Sequence, residues 1–337
     1  MLSLALAGGS ILIMALVLLG RLFRTRRERV VGAQYDRARQ LLVACLNDEV
    51  ADATVGERIA KHSPDAVVAA VGGLVADLDA AGRTRLRRLM RHLDPAPYKA
   101  ALRSRRRRGR LRAVHVLSAI GDPEVVDDLR SMLDDRDAHI RLAAAKALAE
   151  LKAVPPIADV IHKLGVVGGH PARVLFSIFR SLVPMRSVEL LALVREDGPD
   201  VINVLAIDAL GFSGDPALAL RIAGALSFAS IDVRAAALRA LARLGNLQVH
   251  IAVRGALVDP SWEVRCQAAF CVGRLKIVDA VAELEALLGD EEWWVRFRAA
   301  EALRAIGEIG SAILRRTSKT PDRAGQIAET LLEEKAA

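Results

Sequence analysis

The sequence predicts an all-α chain, a solenoid of helical hairpins preceded by an N-terminal transmembrane helix. Three observations predict it. First, Asp259-Pro-Ser-Trp-Glu-Val-Arg265 and Asp290-Glu-Glu-Trp-Trp-Val-Arg296 repeat one pattern 31 residues apart, each running into an Ala-rich apolar stretch. Second, an apolar anchor stands seven residues after each of these arginines, at Val272 and Leu303, and stepping back finds Leu241, Leu210, Leu182, Leu148 and Leu117. From Leu117 onward the spacings are 31, 34, 28, 31, 31 and 31, so only the third unit is displaced. Third, the chain is 53% hydrophobic but only 4% aromatic, which suits close stacking of helices through Ala, Leu and Val. Self-similarity at this period marks an array in which each helical pair hides its apolar face against its neighbours.

Residues 1–30 come first. Leu2 to Gly20 carries no charge over 19 residues, close to the roughly 20 that span a bilayer core as a helix. Arg21, Arg24, Arg26, Arg27 and Arg29 follow at once, and arginine on that side places the N-terminus outside and the array in the cytoplasm. A cleaved signal peptide would need a basic residue before the apolar run and an Ala-x-Ala site after it, and neither is present. The expectation is a single-pass protein of the cytoplasmic (inner) membrane, with this arginine flank on anionic lipid.

Residues 31–108 read as degenerate helical pairs. Tyr35, Leu41, Leu42, Cys45 and Leu46 suggest an amphipathic helix, and Ser63-Pro64-Asp65 has the N-cap and first-turn proline of a helix start. Gly82 to Leu93 reads as a basic amphipathic helix, and Asp94-Pro95 opens the next.

Residues 109–308 form the regular array, whose unit has internal chemistry. Seven residues before the anchor stand Arg110, Arg141, Arg234, Arg265 and Arg296, with Leu175 and Asn203 as exceptions. Six before that position stand Asp135, Asp197, Asp259 and Asp290. Four after the anchor come Gly121, Gly214, Gly245 and Gly307, where a left-handed helix cap is cheap for glycine. Lys152-Ala-Val-Pro155-Pro156 and the Gly165–Pro171 stretch lengthen the third unit, as a loop on a binding face or as a bend without a binding role. In residues 309–337, Thr320-Pro321-Asp322 starts a capping helix with Glu329, Glu333 and Glu334 on its polar face.

These motifs resemble the HEAT repeat, in the short bacterial form called the phycobilisome-lyase (PBS-lyase) HEAT-like repeat, over roughly Arg110 to Gly307. The match is best in the last three units and poorest around Leu175 and Asn203. The resemblance implies Asp–Arg ladders between repeats, a structural role for Asp135, Arg141, Asp259, Arg265, Asp290 and Arg296. It also implies that the second helices line the concave face. Positions five after the arginine, namely Lys146, Arg180, Asp208, Arg239 and Glu301, would then supply polar contacts to a partner. A scaffold does not by itself assign an activity.

Charge is concentrated. Arg21 to Arg29 nets +4 and Arg103 to Arg112 nets +7, against +8 for the whole chain, so the remainder is −3. Three explanations compete for the second cluster: Arg105, Arg106, Arg107 and Arg108 on anionic lipid, a nucleic-acid contact, or a solvated loop in an arginine-preferring composition. No aromatic residue interleaves with Arg103–Arg112, so the stacking partners of single-strand binding are missing and nucleic acid is disfavoured. Among the tryptophans, Trp262 and Trp293 align with Ala138 and Ile231 and are expected to be buried. Trp294 aligns with His139, Asp232 and Glu263, a polar register, and with Phe297 and Arg298 reads either as a docking point or as a surface covered by the terminal helix.

No catalytic residue, cofactor site or metal site is expected. The HEAT-framed di-iron hydroxylases use His-Glu pairs, and no His-Glu dipeptide occurs; the seven histidines never pair at a spacing of three to five. No Gly-rich phosphate loop or Gly-x-Ser-x-Gly elbow is present, and Cys45, Cys266 and Cys271 read as small core residues. The expected function is a membrane-anchored scaffold that docks a membrane-associated protein. The alternative is a HEAT-framed lyase or glycosylase-like nucleic-acid protein using Arg103–Arg112.

Overall fold

The computed structural model describes residues 32–47, 78–91, 94–165 and 173–333, together with residues 54, 57–59, 61–62, 66–67, 70–71 and 73–74. Every element among the described residues is helical, and the fold class is an all-α helical-repeat solenoid. The localisation expected from the sequence is corrected here: among the described residues no helix is long and apolar enough to cross a membrane. The single-pass, N-terminus-out, cytoplasmic-array arrangement is therefore not retained. Leu2–Gly20 and Arg21, Arg24, Arg26, Arg27 and Arg29 lie outside the described residues.

The chain divides into two compact units, residues 1–153 and 154–337. In the first, residues 32–46 are helical and are followed by α1 (Ala80–Met90), α2 (Ala96–Ala101), α3 (Arg107–Ile120), α4 (Val126–Ser131) and α5 (Ala138–Glu150). Helices α2 and α3 form one hairpin, α4 and α5 the next, and α3 packs on α5.

The second unit runs α6 (Ile157–Leu164), α7 (Arg173–Ala192), α8 (Asp200–Leu210), α9 (Leu218–Ala223), α10 (Ile231–Leu244), α11 (His250–Gly255), α12 (Trp262–Leu275), α13 (Val281–Leu287), α14 (Trp293–Ile306), α15 (Glu308–Thr317) and α16 (Arg323–Glu333). The long second helices pack in series, α7 on α8, α8 on α10, α10 on α12 and α12 on α14. The first helices are short and often flanked by single 3-10 turns, as α11 is by Leu247–Val249 and Ala256–Val258.

Burial follows the period. All seven anchors, Leu117, Leu148, Leu182, Leu210, Leu241, Val272 and Leu303, have no exposed surface. Each such side chain contributes about 1.5–3 kcal/mol on burial, so the stack is held by one repeated contribution, not by a central cluster. The 28-residue spacing has a local cause. Pro184 lies inside α7, where it can donate no backbone hydrogen bond, and Arg186 leaves helical geometry at φ −141°, ψ 30°. Two helices of successive hairpins are thereby joined without a loop.

The position four after the anchor is left-handed in five units, and two of them lack glycine. Gly121, Gly214 and Gly245 have φ of 66°, 71° and 73°, while Lys152 and Lys276 adopt 57° and 53°. The tight exit is thus demanded by the stack even where the side chain resists it.

Candidate docking surface

Adjacent hairpins are tied by a rung that recurs with one geometry. Arg265 on α12 donates from Nε and Nη2 to the two carboxylate oxygens of Asp290, at 2.8 and 3.0 Å, across 25 residues. Its Nη1 donates to the carbonyls of Asp259 (3.0 Å) and Pro260 (3.2 Å) in the loop before α12. Arg234 repeats this with Asp259 (2.9 and 2.9 Å) and the Phe228 and Ala229 carbonyls. In the first unit Arg110 does the same with Asp135 (2.7 and 3.1 Å) and the Ser104 and Arg105 carbonyls. Each aspartate Oδ1 also accepts a backbone N–H two residues on, from Asp137, Ser261 and Glu292. The planar guanidinium fork matches the carboxylate, so one pair fixes both a loop and its neighbour.

The electrostatics follow from this geometry. Burial alone would raise the Asp290 carboxyl, but the bonds from Arg265 and the Glu292 N–H hold it below the usual carboxylate range, and Asp135 is lowered in the same way by Arg110 and the Asp137 N–H. The bonds to aspartate raise Arg110 and Arg265. Arg141 and Arg296 make only the loop half of the rung, to the Asp135 and Arg136 carbonyls and to the Asp290 and Glu291 carbonyls. Where the repeat lacks its arginine, buried Asn203 holds the loop as a neutral substitute, accepting from the Arg195 N–H and donating to the Arg195 and Gly198 carbonyls. Asp197 is left out of the ladder and pairs with Arg195 on the surface.

A second constellation lies on the partner-contact row. Arg180 of α7 bonds Asp208 of α8 (Nε to Oδ2, 2.7 Å), and Arg243 of α10 reaches the other oxygen of Asp208 at 3.3 Å. Both guanidinium groups also lie over the ring of Phe212, 4.1 and 4.4 Å from its centroid, and Phe212 remains 50% exposed. Arg239, one turn before Arg243, has no hydrogen-bond or ion-pair partner among the described residues. Burial, and then the charge of Arg243, lower its pKa from the usual arginine value, against the opposing charges of Asp208 and Asp232. Two cations thus grip one carboxylate and flank one open aromatic ring, and the charges of Asp208 and Arg243 reach a third, Arg239. Farther along, Arg298 lies 5.3 Å from the Phe270 centroid and pairs with Glu301 at 2.6 Å. Lys146 is exposed on α5 in the first unit, 3.9 Å from Glu150. The sequence reading named Arg180, Asp208 and Arg239 but missed Phe212 and Arg243, which stand four residues after Asp208 and Arg239, Arg243 one turn along α10 and Phe212 in the turn just past the end of α8.

The tryptophan expectation needs a correction. Trp262 and Trp293 are 37% and 46% exposed, as is Ile231 at the same register (44%). Each is the first residue of its second helix, so its side chain points back beyond the stacked turns instead of into them. Trp294 is 53% exposed. Trp293 stacks on half-buried Phe297 with centroids 5.1 Å apart, and Trp294 meets Trp293 edge-on at 4.7 Å.

The profile of the family described as HEAT repeats matches residues 95–163 and 252–331. Over these residues the chain is similar to HEAT repeats. No curated protein matches it significantly. Among solved structures, Escherichia coli YibA is 17% identical over 76% of this chain and 97% of that one, with a TM-score of 0.45. The complex of CpcE and CpcF of phycocyanin lyase from Nostoc sp. PCC7120 is 21% identical over 73% and 89%, at 0.32. An archaeal HEAT-like repeats protein from Thermococcus onnurineus NA1 is 13% identical over 72% and 98%, at 0.36. These likenesses are loose, and no function follows from them.

The Arg103–Arg112 cluster is divided among several tasks. Arg110 is buried in its rung, and Arg107 pairs with Asp137 at 2.8 Å. Arg103, Arg105, Arg106 and Arg108 are exposed around the start of α3. The lipid role expected of Arg105 to Arg108 rested on the membrane anchor and is not retained with it. Cys45, Cys266 and Cys271 are free and buried, with the Cys271 thiol pushed up to about 12 by burial. Among the described residues no group of three His, Cys, Asp or Glu could hold a metal ion.

Proposed function

We propose that this chain is a docking scaffold that binds a protein partner through the second helices of residues 173–306 and carries out no catalytic step. The observation that carries this reading is the mismatch around Asp208. Arg180 and Arg243 already occupy both of its oxygens, and Arg239 is left half-buried beside them with no carboxylate in hydrogen-bond contact among the described residues, Asp208 and Asp232 acting on it only at longer range. A partly desolvated cation without a partner is unfavourable, and a carboxylate from outside would relieve it. Phe212 supplies a flat exposed ring held between two guanidinium groups, the aromatic-and-arginine chemistry that dominates interface energetics. Trp294, with Trp293 and Phe297, offers a second contact at the far end of the same array.

The test is cross-linking mass spectrometry of the full chain in extract, alongside an Arg180→Glu/Arg239→Glu variant of matched melting temperature. Loss of specific cross-links to α8 and α10 in the variant supports the reading. An unchanged set of cross-linked partners removes these residues from it.

A further inference from the structure

The ladder is unfinished at its last rung. In the three closed rungs Nη1 of the arginine binds two loop carbonyls, and Nε and Nη2 grip a carboxylate at 2.7–3.1 Å. Arg296 has the first half of this arrangement, with Nη1 donating to Asp290 O (2.7 Å) and Glu291 O (2.9 Å), so its guanidinium is anchored by the same two bonds. Its Nε and Nη2 have no partner among the described residues, and neither is sealed from solvent. The residue 25 positions on is Pro321. Asp322 beside it is committed locally, accepting from the Gly325 N–H (2.8 Å) and the Thr320 hydroxyl (2.7 Å). Exposed Trp293 and Trp294 stand in the same first turn of α14.

We propose that Arg296, with Trp293 and Trp294, is an open copy of the inter-repeat socket, and that it receives an aspartate-bearing turn of another protein. The three closed sockets define the ligand. Each accepts an aspartate whose Oδ1 also takes a backbone N–H two residues on, which specifies a short turn, not an extended acidic tail. The fork favours a carboxylate bound through both oxygens, and the two indoles favour apolar residues flanking it. Holding the guanidinium in place beforehand removes part of the ordering cost of binding. Within this chain Asp135, Asp259 and Asp290 each already hold an arginine and Asp197 holds Arg195, whereas Asp94, Asp122 and Asp215 carry the same turn, so a second copy docking through one of these is the competing occupant that the test separates. This proposal uses different residues from the Arg180–Arg243 surface and stands or falls separately.

The test uses the full chain and a synthetic peptide copying residues 255–264, which contain the Asp259 turn, with Trp262→Phe so that only the protein fluoresces. A saturable change in tryptophan emission is expected, with binding weakened about tenfold when the peptide carries Asp259→Asn, or when the chain carries Arg296→Gln. The chain variant Arg221→Gln, at an exposed arginine of α9, should bind the peptide like the parent. Absence of saturable binding, or equal binding of the aspartate and asparagine peptides to the unaltered chain, overturns the proposal whatever the variants' stability. Sedimentation showing a dimer of the chain that Arg296→Gln dissolves overturns the choice of occupant.

Discussion

Gly273 passes Ala302 so closely that a Cβ added to it would lie 2.8 Å from the Ala302 Cα and 3.1 Å from its Cβ. Gly211 stands in the same relation to Ala240 two repeats earlier, at 2.8 Å from both atoms. The two glycines occupy the same place in the repeat, so the approach of α12 to α14 and of α8 to α10 is set by the absence of a side chain. Gly273→Ala should therefore lower stability by about 1–3 kcal/mol despite the better helix propensity of alanine. Gly255→Ala, where nothing lies within 4 Å, should be neutral or stabilising by up to about 1 kcal/mol. Chemical denaturation midpoints of the two variants check the contrast.

Lys276 closes α12 in the left-handed region at φ 53°, at the place where α3 and α10 end on Gly121 and Gly245. A side chain there costs about 1–2 kcal/mol, and nothing in its position offsets the strain through burial. Lys276→Gly should recover about 1 kcal/mol, less the greater chain entropy of glycine when unfolded. An unchanged or lower melting temperature would show that the lysine makes a compensating contact.

The period was legible because the anchors that define it are the fully buried residues, and burial is what keeps an apolar position apolar. The rung was legible because Asp and Arg recur six apart in loop and helix. Its bonding pattern was less so, since Arg265 ties the loop carbonyl of Asp259 while its charge partner is Asp290, in the next hairpin. Trp262 and Trp293 were misplaced because an apolar register was taken to mean burial, whereas the first position of a second helix lies beyond the stack. Phe212 and Arg243 escaped notice because each unit was read at one row, and the surface extends a helical turn farther. The kink at Arg186 left only an arithmetic trace, the 28-residue spacing.

Removing one side of a rung should weaken one joint of the array and leave the rest intact. Asp290→Asn leaves Arg265 without its charge partner and should cost about 2–3 kcal/mol at neutral pH, somewhat below the cost at a fully buried pair. The pH dependence has a definite sign. The Asp290 carboxyl is lowered in the folded chain from 3.8, so its contribution is complete above 3.8 and is lost as pH falls through the lower folded value. Parent and variant should therefore differ in denaturation midpoint at pH 7 and converge well below pH 3.8. A difference that persists in acid would mean that shape, not charge, holds the joint.

Cys271 provides a reporter for that joint. It lies on α12 with no exposed surface, and burial pushes its thiol up to about 12, so in the closed stack it is neither ionised nor reachable at ordinary pH. Its reaction with a thiol reagent must await separation of α12 from its neighbours. Because stability in such arrays is a sum over neighbouring pairs, opening near one end need not unfold the whole chain. With Cys45→Ala and Cys266→Ala removing the other thiols, Asp290→Asn should speed labelling of Cys271 by about 30- to 150-fold at pH 7, if the full 2–3 kcal/mol is expressed in local opening. An Asp135→Asn change in the first unit should leave that rate nearly unaltered. Equal acceleration by both would mean that the two units open together as one cooperative body, and the neighbour-by-neighbour account of the ladder would have to be given up.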